Sequence, residues 1–186
     1  MIGGNQVYLL QNIDFAILDF IRKYFTCGFL DMIMPIITTL GNAGVLWIVI
    51  AVVCLLNKKT RKCGIMMVVA LLFSLLIGNI TLKPLVARTR PFDINTDIIL
   101  LIKKPLDFSF PSGHSMASFA AATIIYYNNK KYGIFSLILA GLIAFSRLYL
   151  YVHFPSDVIA GILIGSLIGW LTIQIFKKYN ERLLGK

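Results

Sequence analysis

MIMPIITTLGNAGVLWIVIAVVCLL, residues 32–56, is a run of 25 residues without a single charge, and it decides the class of fold. At about 1.5 Å of rise per residue, a helix of that length crosses the ~30 Å hydrocarbon core of a bilayer, so the run is predicted to span. The basic string Asn57-Lys58-Lys59-Thr60-Arg61-Lys62 ends it. The rest of the chain has the same character: of 186 residues 58% are hydrophobic and only 14% charged, too apolar for an ordinary soluble domain. A net charge of +10 does not point to nucleic acid, because the basic residues fall in short clusters between apolar runs instead of on one continuous face. A lipid bilayer and phosphate are the partners this pattern suits.

Outward from residues 32–56, four further runs are predicted to span: 63–82, 112–127, 133–148 and 155–176. Ser112 is placed to cap the third, whose small residues Ser115, Ala117, Ser118 and Ala120 to Ala122 permit close helix packing. Gly161, Gly165 and Gly169, four apart, present one smooth face on the fifth. Residues 7–25 read differently. Leu9, Ile13, Ile17, Phe20 and Tyr24 follow helical spacing while Asn12, Asp19 and Lys23 take the opposite side, the pattern of an amphipathic helix lying in the interface. With Asp14 and Asp19 among its apolar residues and no basic residue before Arg22, this segment is also a poor signal peptide. Residues 92–110 lack a sustained period and read as a loop with a short interfacial turn at Ile98 to Ile102. The predicted architecture is all-α: one membrane-integral domain over residues 1–186, a polytopic helical bundle of five spanning helices plus the interfacial helix.

Five spans fix the sidedness once loop charge is counted. One side carries +9, from the clusters at 58–62, 130–131 and 177–186; the other carries +1. The positive side is expected to be cytoplasmic. The two histidines, His114 and His153, then lie on the outer side of the cell membrane, as do Lys83, Arg90 and Arg147 at the ends of spans.

Taken singly, those cations could snorkel to headgroups, and each histidine could cap a helix or join an aromatic belt. Gathered on one side they suit a phosphate. Arginine offers a fixed fork of donors and lysine a mobile point charge, while the backbone N–H groups of Ser112 and Gly113 at a helix start can complete a cradle. In His153-Phe154-Pro155-Ser156-Asp157 the proline suits a first helical turn, which brings Asp157 close enough to accept a hydrogen bond from the imidazole. A carboxylate that holds one ring nitrogen leaves the other as a nucleophile. Cys27, Cys54 and Cys63 are odd in number and match no metal-ligand spacing, so no metal site is assigned.

Lys83-x6-Arg90-Pro91, Pro111-Ser112-Gly113-His114 and Ser146-Arg147-x5-His153-x3-Asp157 together resemble, in order and spacing, the three-part signature of the type 2 phosphatidic acid phosphatase superfamily. The resemblance covers residues 83–157 by motif and most of the chain by hydropathy. It implies a helical bundle, no metal or cofactor, His153 as nucleophile, Asp157 as its orienting partner and His114 as general acid. Phosphate contacts from Lys83, Arg90, Ser112, Gly113 and Arg147 are also implied. Soluble vanadium haloperoxidases share the signature but lack five apolar spans. A small member with an outward-facing site is similar to the bacterial undecaprenyl-diphosphate phosphatases, so a membrane lipid phosphate or diphosphate is the expected substrate. Phosphatidylglycerophosphate or phosphatidate is the alternative lipid. A non-enzymatic lipid-binding protein would need the cations but not the His114, His153 and Asp157 set; oligomeric state is left open.

Overall fold

The computed structural model describes residues 4–183, and the side chains of residues 8–179. All regular structure among them is helical: α1 (Gly4–Phe25), α2 (Gly28–Leu40), α3 (Val45–Leu56), α4 (Arg61–Ser74), α5 (Lys83–Val86), α6 (Pro91–Ile94), α7 (Gly113–Asn128), α8 (Lys130–Tyr149) and α9 (Pro155–Leu183). Among the described residues three stretches are long and apolar enough to cross a membrane, the one that begins with α4, α8 and the apolar part of α9, and the bent α2–α3 pair makes a fourth if it is one span. The protein is a helical membrane protein.

The run that opened the sequence reading is not one straight helix. It breaks at Gly41, where α2 and α3 meet at 45° through a single 3₁₀ turn, Asn42–Gly44. Ala43 and Gly44 there have φ of 49° and 68°, the left-handed region that α-helix geometry excludes. The string Gly41-Asn42-Ala43-Gly44 supplies two permissive glycines and a short polar side chain, so helical hydrogen bonding is cheaply abandoned at this point.

A second irregularity follows α4. Residues Leu75–Leu82 form a π-helix that leads without interruption into α5, which carries Pro84 in its first turn. Proline has no N–H to donate, and a widened turn ahead of it is one way a helix accommodates the missing bond. The apolar run therefore continues past Lys83 to Val86, beyond its predicted end at Leu82, and stops at Ala87, φ 48°. In the loop that follows, the short turn lies at Pro91–Ile94; residues 98–102 are not helical.

The core is built on α7, which is only 16 residues long and packs against α4, α8 and α9. Its residues Ser115, Ser118 and Ala120 to Ala122 are fully buried. The glycine face of α9 meets it backbone to backbone: a Cβ on Gly161 would stand 2.6 Å from the Ser112 carbonyl oxygen, and one on Gly165 would overlap the Met116 carbonyl. Trp47 on α3 reaches in to donate its indole N–H to Ser118 Oγ at 2.9 Å, satisfying two buried polar groups at once. α1 lies against α8 and α9 through Asp14, Leu18 and Ile21, all buried, while Ile13, Ile17, Phe20 and Tyr24 stay exposed as its apolar outer face.

Candidate active site

Three elements converge on one end of the bundle. Their meeting point is the start of α7, where Ser112 caps the helix by accepting from the Ser115 N–H, as the sequence predicted. The same residue's own N–H donates to the Asp157 carbonyl oxygen at 3.1 Å, which ties the head of α7 to the head of α9. That amide is consequently used for structure, and of the expected backbone cradle it is Gly113 that lines a cavity.

Arg90 ties the first motif segment to the third and to the loop at Asp107. Its Nε donates to the Asp107 carbonyl oxygen at 2.7 Å, its Nη1 to the Val152 carbonyl oxygen at 2.5 Å, and the same Nη1 lies 3.2 Å from His153 Nε2. Arg147, 3% exposed, donates through Nη1 to Thr38 Oγ1 at 2.6 Å, and its Nε has no protein partner. An unpartnered guanidinium N–H in a buried position is a costly arrangement that an anionic ligand relieves. His153 is 1% exposed and its Nδ1 also has no partner: it stands 3.7 Å from Asp157 Oδ2, beyond hydrogen-bonding distance. The sequence predicted a direct bond here. Instead Asp157 accepts from Ser109 Oγ at 2.5 Å, from the Phe154 N–H at 3.0 Å and from Arg88 Nη1 at 2.6 Å, and these hold the carboxylate back from the ring. Burial, followed by the charges of Arg90, Arg147 and Lys83, keeps the His153 imidazole well below its ordinary pKa, so it is neutral at physiological pH.

His114 faces the same cavity from α7, its Nε2 2.9 Å from Asn42 Oδ1 on the broken turn between α2 and α3. The cleft encloses about 490 Å³ and brings together Lys83, Arg90, His114, Arg147 and His153 from the three motif stretches. Every predicted site residue is thus found at this end of the bundle, with Ser112 and Asp157 behind the cavity wall. Further participants went unread in the sequence: Thr38 and Asn42, hidden in what looked like an unbroken span, together with Arg88, Asp107 and Ser109. Among the described residues no group of three or more His, Cys, Asp or Glu side chains is placed to hold a metal ion.

Asp107 is paired to two of the cleft's cations. Its carboxylate pairs with Lys83 Nζ and with Arg90 Nη2, the latter at 2.6 Å, yet its side chain is 54% exposed. Burial works against the charged carboxyl, but Lys83 and Arg90 outweigh it and hold the pKa down at about 2. Asp107 is therefore ionised at any working pH, and any anion drawn to Lys83 and Arg90 would have to displace it. Asp107→Asn is expected to lower the inhibition constant of inorganic phosphate by roughly tenfold, equivalent to about 1.4 kcal/mol of relieved competition. An unchanged constant would show that the pairing does not oppose phosphate.

A second cavity of about 600 Å³ shares Lys83, Asp107 and His114 with the first and continues as an apolar groove along Ile48, Val52, Val68, Leu71 and Leu75. Cations and imidazoles at one end and a hydrocarbon-lined groove at the other suit an amphiphile with a phosphate head.

Residues 64–181 match the model of the PAP2 superfamily. The chain belongs to that superfamily. Among relatives of this PAP2 protein, an undecaprenyl-diphosphatase of Sulfolobus acidocaldarius is 37% identical over 94% of this chain and 82% of its own. The undecaprenyl-diphosphatase BcrC of Bacillus subtilis is 31% identical over 76% and 72%. The crystal structure of a PAP2-type phosphatidylglycerolphosphate phosphatase from Bacillus subtilis superimposes with a TM-score of 0.74 at 28% identity, covering 91% of this chain and 87% of that one. The protein is a PAP2 lipid phosphatase.

Proposed function

We propose that this PAP2 phosphatase hydrolyses a polyprenyl diphosphate, undecaprenyl diphosphate in particular, through a phosphohistidine intermediate and without a metal ion. The observation that carries the lipid part is the continuity of the cationic cleft with the apolar groove; the diphosphate part rests on the names of the two relatives above. In this reading the His153 Nε2 lone pair attacks the terminal phosphorus and the bond from phosphorus to the leaving oxygen breaks. His114 gives that oxygen a proton. His114, now neutral, then takes a proton from water, the water oxygen attacks the phosphorus, and the phosphorus–nitrogen bond breaks to return His153 and inorganic phosphate. Lys83, Arg90 and Arg147 stabilise the charge on the equatorial oxygens, with Arg147 Nε the unspent donor. Asp157 orients His153 once the ring closes the gap between them.

Phosphate release by purified protein from a panel of isoprenoid and glycerol lipid phosphates, with EDTA present, tests this assignment. Undecaprenyl diphosphate is expected to give the highest kcat/KM, unchanged by chelator; a higher value with phosphatidylglycerophosphate would move the assignment to that lipid.

In the same reading, five spans carry the chain through the plasma membrane and the site faces outward. The bent α2–α3 pair counts as one span and α7, shielded from lipid by its neighbours, as another. The charge asymmetry of +9 against +1 between the two sets of loops supports the orientation. Cysteine introduced at position 95 is expected to react with an impermeant reagent in intact cells, and cysteine at position 60 only after the cells are opened. The reverse pattern would place the site inside.

A further inference from the structure

Asp14 is an acidic residue on the amphipathic N-terminal helix α1, 2% exposed, and no part of the phosphatase signature uses it. It is bound from two directions. Arg88 Nη2 lies 2.6 Å from its Oδ2, and Ser156 at the head of α9 gives it two bonds, the backbone N–H to Oδ1 at 2.9 Å and the hydroxyl to Oδ2 at 2.5 Å. The other terminal nitrogen of Arg88, Nη1, donates to Ser156 Oγ at 2.7 Å and to Asp157 Oδ1 at 2.6 Å. One guanidinium is therefore divided between a carboxylate on the N-terminal helix and the carboxylate next to His153. Its orientation is fixed by the face of the Phe154 ring, 4.1 Å away, and that ring is braced edge-on by Phe15, one residue along α1 from Asp14.

We propose that Asp14 is a positioning residue for the phosphatase reaction, acting through Arg88 and Ser156 to set where Asp157 stands and how much of its charge reaches His153. Snorkelling explains none of this, because Asp14 points into the protein. A cap explains only the contact with Ser156. What the full set does is divide the Arg88 charge: with Asp14 present, Asp157 keeps enough negative character to draw in the Nδ1–H of His153; without it, Arg88 falls wholly on Asp157. The N-terminal helix then belongs to the catalytic apparatus, although it lies outside the three motif segments. The proposal rests on the reading of His153 as nucleophile.

The charged groups that face His153 from the surrounding elements are Arg90, Lys83, Arg147, Asp107 and Asp157, with His114 opposite. Of these only Asp157 is bonded to the Arg88 side chain, so a shift of the pH profile on changing Asp14 or Arg88 reports on Asp157. With para-nitrophenyl phosphate as substrate, Asp14→Asn is expected to lower kcat by roughly 10- to 100-fold, the cost of misplacing a catalytic group, and to leave KM within about threefold. Its acid limb in kcat/KM should move to lower pH, since His153 feels less of the Asp157 charge. Arg88→Met should move the limb the opposite way, to higher pH, because Asp157 is then unneutralised. Asp14→Glu, which keeps the charge, should recover most of the lost rate and serves as the readout if Asp14→Asn does not accumulate. Limbs that stay put or shift in the same direction in Asp14→Asn and Arg88→Met would overturn the proposal, as would Asp14→Asn at the wild-type rate beside an inactive His153→Ala. A His153→Ala enzyme that still turns over would overturn the nucleophile reading, and the proposal with it.

Discussion

His153→Ala is expected to abolish turnover on every substrate, by roughly 10⁵-fold or more, with no phosphoenzyme formed. The reason is positional. In the cleft, the hydroxyls of Thr38 and Thr39 are weak nucleophiles already bonded to Arg147 and to the Ile36 carbonyl, and the stronger candidates, Asp107 and His114, are committed: Asp107 is ion-paired to Lys83 and Arg90, and His114 is bonded to Asn42. Alanine also opens a void beside Arg90 Nη1, but that guanidinium keeps the Val152 carbonyl and Asp107 as acceptors, so the fold is expected to survive the substitution. Purified variant that melts near the wild-type temperature yet releases no phosphate is the expected outcome. Residual turnover above about 1% would mean that another group, or water directly, attacks phosphorus.

His114→Ala is expected to behave differently, because proton transfer contributes only about 10²- to 10⁴-fold and its worth depends on the leaving group. A lipid alkoxide needs the proton, whereas para-nitrophenolate hardly needs it. Phosphoenzyme formation from para-nitrophenyl phosphate should therefore be nearly normal in His114→Ala, while formation from a lipid monophosphate should fall by the full factor. A diphosphate lies between, since its departing phosphate is already a fair leaving group. Later hydrolysis should be slow in all three, as the base that activates water is missing, so phosphoenzyme should accumulate. Equal losses for both leaving groups, measured by rapid quench, would take the acid role away from His114.

The membrane class, the helix segments and the convergence of three motif stretches were legible in the sequence because each rests on a local pattern: apolar run length, a basic stop, a histidine at a helix start. What was not legible came from two sources. Gly41-Asn42-Ala43-Gly44 sits in a run without charges, and run length conceals a break that costs no hydropathy; its glycines were the available signal, and reading them would have exposed Asn42 as the partner of His114. The other source is competition among polar groups. Spacing brings Asp157 near His153, but it cannot say that Arg88, Ser109 and the Phe154 amide reach the carboxylate first, leaving 3.7 Å to the ring. Arg88 differs from Arg90 by two positions and nothing in the residue type separates their roles. Only the tertiary placement of α1, which brings Asp14 to the far side of the Arg88 guanidinium, does so.

The measurement that bears most directly on the mechanism is the site of phosphoryl attachment in enzyme quenched during turnover. Protein mixed with radiolabelled substrate, stopped in alkali within milliseconds and digested should carry an acid-labile, base-stable phosphoryl group on the peptide that contains His153, and none in His153→Ala. Label on the peptide that contains His114, an acid-stable label on a serine, or no label at any time before the first turnover is complete would contradict the phosphohistidine route.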